Sequence, residues 1–349
     1  MIVSIVIFLL IIGILIISHE AGHFLIARMN GIRVVEFTVG VGPALFKKQM
    51  GETLFALRAF PFGGACIYDS LYEDGEEHID DEHSFANAGV WARIATLFAG
   101  PFFNFLLAFL LAVIVTGFAD WLDPVVAGFT DDSAAQTAGV REGDRIVRMN
   151  GKRIHMAGEV TLLSQLNQGE EITLVVERDG EQQEITFTPH YSDTDDRYYM
   201  GLYAGEATRI RGARILPYAW YTEKYYFDLT FISLKMLVRG ELTLNNLSGP
   251  VGMVKMVDDT YEEVKPYGLP SVVLTMIELA ILLSVNLGVL NLLPIPGLDG
   301  GRLLFAFIEV LRGKPIPQEK EGYVHLAGMI ALIALMVVVL FNDIGKFLR

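Results

Sequence analysis

The run His19-Glu20-Ala21-Gly22-His23 sets two imidazoles four residues apart with a carboxylate beside them. On a helix both imidazoles project from one face and can ligate a single zinc ion, and Glu20 is placed to take a proton from bound water. A catalytic zinc also needs a third protein ligand, while its fourth position stays open for water. The stretch Asn291-Leu292-Leu293-Pro294-Ile295-Pro296-Gly297-Leu298-Asp299-Gly300-Gly301 offers Asp299, because its prolines and glycines break a helix where that carboxylate can turn back toward a bundle interior. By residue type alone, an aspartate before Gly300 is the more ordinary turn residue, so both readings stand at this point. His78, His83, His155, His190 and His325 read as surface residues rather than ligands. The single cysteine, Cys66, excludes an intrachain disulfide and any site built from several thiolates, and reads as a small buried apolar residue.

The elements that must position these residues are those of a membrane protein. Of 349 residues, 52% are hydrophobic and 19% charged, with a mean hydropathy of +0.42. A formal net charge of -14 excludes the basic stripe that a nucleic-acid partner requires. No charge occurs from Met1 to Ile17 and the apolar run resumes at Phe24, so the first segment can span a bilayer; it lacks the basic start and cleavage site of a signal peptide. Further spans are predicted over Trp91 to Ala119, Ser271 to Leu293 and Leu326 to Phe341. Arg33 to Thr38 and Thr53 to Phe60 alternate as strands of a hairpin whose Gly-rich end is Pro61 to Gly64, and Asp69 to Glu82 reads as a solvated acidic loop. Ile172 to Val176 and the turn Asp179-Gly180 give residues 124–190 the texture of a small β-rich domain, and Tyr218 to Val238 suits a membrane surface or a weakly packed soluble helix better than a span. The expected segments are therefore 1–30 (first span with the His-Glu motif), 31–89 (hairpin and acidic loop), 90–120 (second span), 121–192 (β-rich domain), 193–268 (linker and surface segment), 269–301 (third span with Asp299) and 302–349 (loop and fourth span). Arginine and lysine clusters in the first and last loops orient both toward the cytoplasm.

These residues resemble the site-two protease family of intramembrane zinc metalloproteases, and specifically its bacterial branch that regulates sigma-E-type extracytoplasmic stress signalling. His19 to His23 is similar to the family's zinc motif and Asn291 to Gly301 to the second motif, which supplies an aspartate ligand. Gly40-Val41-Gly42-Pro43 and Phe60-Pro61-Phe62-Gly63-Gly64 resemble its membrane-reentrant β-hairpin, Gly100-Pro101-Phe102-Phe103-Asn104 its second-helix motif, and Ser248-Gly249-Pro250-Val251-Gly252 the segment after its PDZ region. The β-rich domain resembles one PDZ domain through Ala138 to Ile146 and the turn Asn150-Gly151, with Ala127-Gly128-Phe129 only a weak match to a carboxylate-binding loop.

The resemblance implies a polytopic α-helical membrane protein with about four transmembrane helices, a membrane-reentrant β-hairpin and an inserted PDZ-like domain. It implies zinc held by His19, His23 and Asp299, Glu20 as general base, and Asn291 as a substrate-binding or oxyanion donor, although a helix-interface role suits Asn291 equally. The implied activity is regulated intramembrane proteolysis of a single-span protein, an anti-sigma factor or remnant signal peptide, after an upstream protease has trimmed it. The implied setting is a bacterial cytoplasmic membrane, with the PDZ-like domain outside and the zinc site toward the cytoplasm. The competing readings are a non-catalytic membrane scaffold or chaperone that binds through its PDZ-like domain, and a transporter with a broken third helix.

Overall fold

The computed structural model describes residues 1–68, 72–73, 76–77, 83–192, 197–241 and 248–347. Along the chain these form α1 (Ile2–Met29), β1 (Val34–Met50), β2 (Thr53–Tyr68), β3 (Tyr72–Glu73), β4 (Glu76–Glu77), α2 (Val90–Phe118), β5 (Trp121–Phe129), α3 (Ala134–Thr137), β6 (Arg145–Met149), β7 (Lys152–Arg153) and α4 (Ala157–Gln165). There follow β8 (Ile172–Arg178), β9 (Glu181–Phe187), β10 (His190–Ser192), β11 (Arg197–Tyr199), β12 (Leu202–Thr208), α5 (Ile215–Val238), α6 (Pro250–Val264), α7 (Leu269–Leu292), α8 (Asp299–Arg312) and α9 (Gln318–Phe347). Apart from β3 and β4, which pair with each other, the acidic stretch Asp69 to Glu82, His78 included, lies outside the described residues. The chain divides into two compact units, Met1–Ala112 with Tyr226–Arg349, and Val113–Tyr225.

Among the described residues four helices, α1, α2, α7 and α9, are long and apolar enough to cross a bilayer. The last is longer than the sequence suggested, because its first turn carries Glu319 and Glu321 and shows no apolar pattern. In α1 the buried positions Ser4, Phe8, Ile11, Leu15, His19, Gly22, His23 and Ala27 recur at three- and four-residue intervals and form one stripe. His19 and His23 therefore face the interior, where Phe8 and Leu15 pack against residues of α6 and α7. At the start of α1, the Met1 ammonium and Ser4 Oγ both reach Asp258 of α6, at 2.7 and 2.5 Å. The N-terminus of α6 is satisfied from α9: the Gly252 N–H donates to Asp343 Oδ2 at 2.8 Å, and a Cβ at Gly249 would meet that carboxylate. This is the contact served by the Ser248 to Gly252 run.

The hairpin is longer and more folded than expected, with its turn at Gly51 and Glu52. Residues 36–39 of β1 pair with 54–57 on one side and 64–67 on the other, so the two strands bend back on themselves and 34–39 becomes interior. The strand expected over Arg33 to Thr38 does not end there but continues through a bend: Gly40 has φ +87° and brings the chain against the Phe60 carbonyl. Residues 64–68 are left along a rim of this sheet.

In the Val113–Tyr225 unit the sheet order is β12-β5-β6-β8-β9, with β7 on β6. Ile172, Leu174 and Val176 alternate inward with Val126, Ile146 and Met149 to make its core. Its rim strand β12 lies in the stretch expected to be linker, because its partner β5 is remote in sequence and no local pattern announces the pairing. The Ala127-Gly128-Phe129 stretch lies within β5 and pairs with Leu202 and Tyr203, so it is no open loop. Four long apolar helices together with these β-sheets make the chain a polytopic helical membrane protein with a β-rich unit.

Candidate metal centre

Helix α7 ends at Leu292, and the chain reverses through Leu293 to Leu298 before α8 begins at Asp299. Gly297 makes the reversal with φ +99°, and its N–H donates to Nδ1 of His325 in α9 at 3.0 Å. His325 is thus a loop anchor and not the surface residue expected from its place beside a span. The sequence gives no sign of this, because the contact joins two elements that are distant along the chain.

The reversal carries Asp299 to the buried face of α1. Asp299 Oδ2 lies 3.1 Å from His19 Nε2 and 3.4 Å from His23 Nε2, and the two Nε2 atoms are 3.2 Å apart. Ligands held tetrahedrally at about 2.0–2.1 Å from zinc stand about 3.3–3.4 Å from one another, so this triangle already has the dimensions of three corners of such a site. His19, Glu20 and His23 are each less than a tenth exposed. Among the described residues, His19, His23 and Asp299 are the His, Cys, Asp and Glu side chains close enough together to hold one metal ion. Two imidazole nitrogens, the half-buried Asp299 carboxylate that pairs with them and the buried Glu20 beside them form a donor set that suits a divalent cation.

Neighbouring backbone presses closely on this cluster. A Cβ on Gly100 of α2 would fall 2.3 Å from His23 Nε2, and one on Gly22 would fall 2.4 Å from the Ala99 carbonyl oxygen. Helices α1 and α2 therefore meet glycine to backbone at the imidazoles. His23 Nδ1 lies 2.8 Å from the Thr96 carbonyl, and the Asn104 amide lies 3.1 Å from His19 Nδ1. On the other side, a Cβ on Gly64 would meet Glu20 Cγ, and the Cys66 N–H donates to the Glu20 carboxylate. Burial and the charge of Glu20 push the Cys66 thiol up to about 12, so it stays protonated and is no nucleophile. The 65–68 rim also borders a cleft of about 1060 Å³ lined by Tyr68, Arg93, Phe305, Glu309 and His325 among others.

Asn291, expected as an oxyanion donor, stands half-buried in the last turn of α7. Asn286, one turn or so earlier, accepts from Thr230 Oγ1 of α5 at 2.5 Å and so takes a helix-interface role. Gly22 and Thr96 carry no catalytic chemistry by residue type, and their part in the site is not legible from the sequence. The signal for Gly100 and Asn104 is the Gly100 to Asn104 run that resembles the family's second-helix motif.

The profile described as Peptidase family M50 matches residues 7–335. The chain is 30% identical over 426 residues to the protein named Regulator of sigma-W protease RasP of Bacillus subtilis, covering 98% of each. It is 29% identical over 424 residues to the Zinc metalloprotease RasP of Geobacillus kaustophilus, covering 99% of this chain and 98% of the relative. A family match over nearly the whole length, relatives of this kind and a zinc-sized triangle of donors on a buried helix face agree: the chain belongs to peptidase family M50, the site-2 protease family, and is a zinc metalloprotease.

Proposed function

We propose that the chain carries out regulated intramembrane proteolysis, with His19, His23 and Asp299 as zinc ligands and Glu20 as general base. The observation that carries this reading is the 3.1 to 3.4 Å triangle of donor atoms with the Glu20 carboxyl buried beside it. Zinc, when bound, supplies a water of near-neutral pKa and positive charge for the developing oxyanion. Glu20 takes the proton of the attacking water on its carboxylate and returns it to the leaving amine. The Cys66 N–H holds that carboxylate in place, and the Thr96 carbonyl accepts a hydrogen bond from His23 Nδ1–H, which leaves Nε2 free to ligate. Asn291 is the candidate donor to the oxyanion. Replacing Glu20 by Gln lowers kcat about 1000-fold on a single-span peptide while zinc content is kept; full activity in that variant overturns the reading.

A membrane-spanning substrate hides its peptide groups in helical hydrogen bonds and must be unwound to reach such a site. The rim at 64–68, beside Glu20, suits pairing with the unwound segment. Residues 36–39 of β1 are paired on both sides and offer no such edge. Following the relative named as a regulator of sigma-W, the substrate is an anti-sigma factor or a remnant signal peptide, trimmed beforehand by another protease. Residues 34–68 then form the reentrant hairpin, 121–192 together with β12 a PDZ-like domain on the outer side of a bacterial cytoplasmic membrane, and α5 with the chain that leads to α7 the linker and membrane-surface segment.

That domain acts as a size filter for trimmed substrates. A second reading, peptide capture, is favoured by a groove of about 550 Å³ between α4 and the rim strand β12, lined by Thr161, Ser164, Met200, Gly201 and Leu202. Replacing residues 121–208 by a flexible linker separates the two. A filter predicts new cleavage of untrimmed substrate, and capture predicts weaker cleavage of the trimmed one.

A further inference from the structure

His19 and His23 are held from behind by different groups. A neutral imidazole that ligates through Nε2 carries its one proton on Nδ1, so the atom facing Nδ1 must accept a hydrogen bond. For His23 that atom is the Thr96 carbonyl oxygen, which can only accept. For His19 it belongs to Asn104, whose amide owns an acceptor and a donor. Asn104 is fully buried; its Nδ2 faces His19 Nδ1 at 3.1 Å, and its Oδ1 is buried with no hydrogen-bond partner. In this arrangement Nδ2 donates to Nδ1 and the imidazole proton sits on Nε2, pointing at Asp299 Oδ2 3.1 Å away. That tautomer cannot ligate. A half turn of the amide about Cβ–Cγ exchanges the two ends: Oδ1 then accepts from His19 Nδ1–H, Nδ2 takes the place where the oxygen had no partner, and Nε2 is left free to ligate.

Asn104 is well placed to act as a fixed reference. The Phe103 carbonyl accepts from Ser18 Oγ of α1 at 3.1 Å, and the Asn104 carbonyl accepts from Ser284 Oγ of α7 at 2.8 Å, so three helices pin the backbone here. The side chain is left for His19 alone.

We infer that Asn104 is a positioning residue that sets the tautomer of His19 by accepting its Nδ1 proton through Oδ1 when zinc is bound. The inference rests on His19 being a ligand, so the test begins there, with zinc affinity of the full-length protein in detergent measured by chelator competition. His19→Ala loses the bound zinc; if it does not, the ligand reading itself fails. Asn104→Leu keeps the volume but removes the acceptor, and weakens zinc binding about 10- to 100-fold. Asn104→Asp keeps an acceptor oxygen and stays within a few-fold of the parent, rescuing both zinc affinity and peptide cleavage. A purely structural asparagine predicts the opposite order, because a buried carboxylate disturbs packing more than leucine does. If His19→Ala loses zinc while Asn104→Leu binds it normally, or if Asn104→Asp loses as much as Asn104→Leu, this inference is wrong and the ligand set stands. Should Asn104→Leu fail to fold, the affinity of Asn104→Asp decides alone.

Discussion

Buried charge is satisfied differently in the two compact units. In the Val113–Tyr225 unit, Asp144 is 1% exposed and is answered wholly by protein: Arg178 Nε and Nη2 each donate at 2.7 Å and the Arg141 N–H donates at 2.8 Å. In the helical unit, Glu20 and Asp299 lie against two imidazoles whose outer nitrogens converge on one point. The first arrangement is complete as it stands and serves stability. The second is complete only with a cation, which is the signature of a site kept for chemistry rather than for folding.

Substitutions can break this contrast from either side. The largest effect is expected at Gly100, where a side chain would drive into His23 Nε2. Gly100→Leu should lose zinc and cut proteolysis about 1000-fold, the scale of losing a catalytic group. Metal analysis beside circular dichroism checks that the helices survive while the site does not. Next comes Asp144→Asn, which should destabilise the β-rich unit by about 2 kcal/mol through weakened charged hydrogen bonds while leaving zinc content untouched. Burial opposes the charge on Asp144, but the hydrogen bonds from Arg178 and Arg141 outweigh it and hold the carboxyl below its usual range. A depressed pKa contributes stability above the unfolded value of about 3.9, and that contribution disappears as pH falls through the lower folded value. Denaturation of parent and variant should therefore differ at pH 7 and converge below about pH 4. The smallest effect is expected at His325, where His325→Leu removes the acceptor for the Gly297 N–H. Losing about 1 kcal/mol of loop anchoring should weaken zinc binding less than 10-fold, read by the same chelator competition.

Much of the helical unit was legible from residue order. Long uncharged runs gave the four spans to within a few residues, except where the polar first turn of α9 concealed its start. Alternation at Ile172, Leu174 and Val176 gave the β-rich core, but it could not reveal β12, whose pairing with β5 depends on a strand distant along the chain. The continuation of β1 past Thr38 was not legible, since a glycine at positive φ such as Gly40 bends a strand as readily as it ends one. His325 was passed over because nothing local distinguishes a histidine that holds a loop from one that faces solvent.

For the site itself, the order of residues determined that His19 and His23 share a face and that Glu20 lies beside them, because helix geometry follows from spacing alone. It also determined that some break must follow Asn291, given two prolines and three glycines within eleven residues. Which way that break turns, and that Asp299 lands 3.1 Å from His19, were decided only by the packing of α7, α8 and α9 around the loop. Periodicity fixes the face a side chain takes on its own helix. The partner across the interface is chosen by shape and hydrogen bonding between elements far apart in the chain, and for Asp299, Gly100 and Asn104 that choice is what brings them to the two imidazoles.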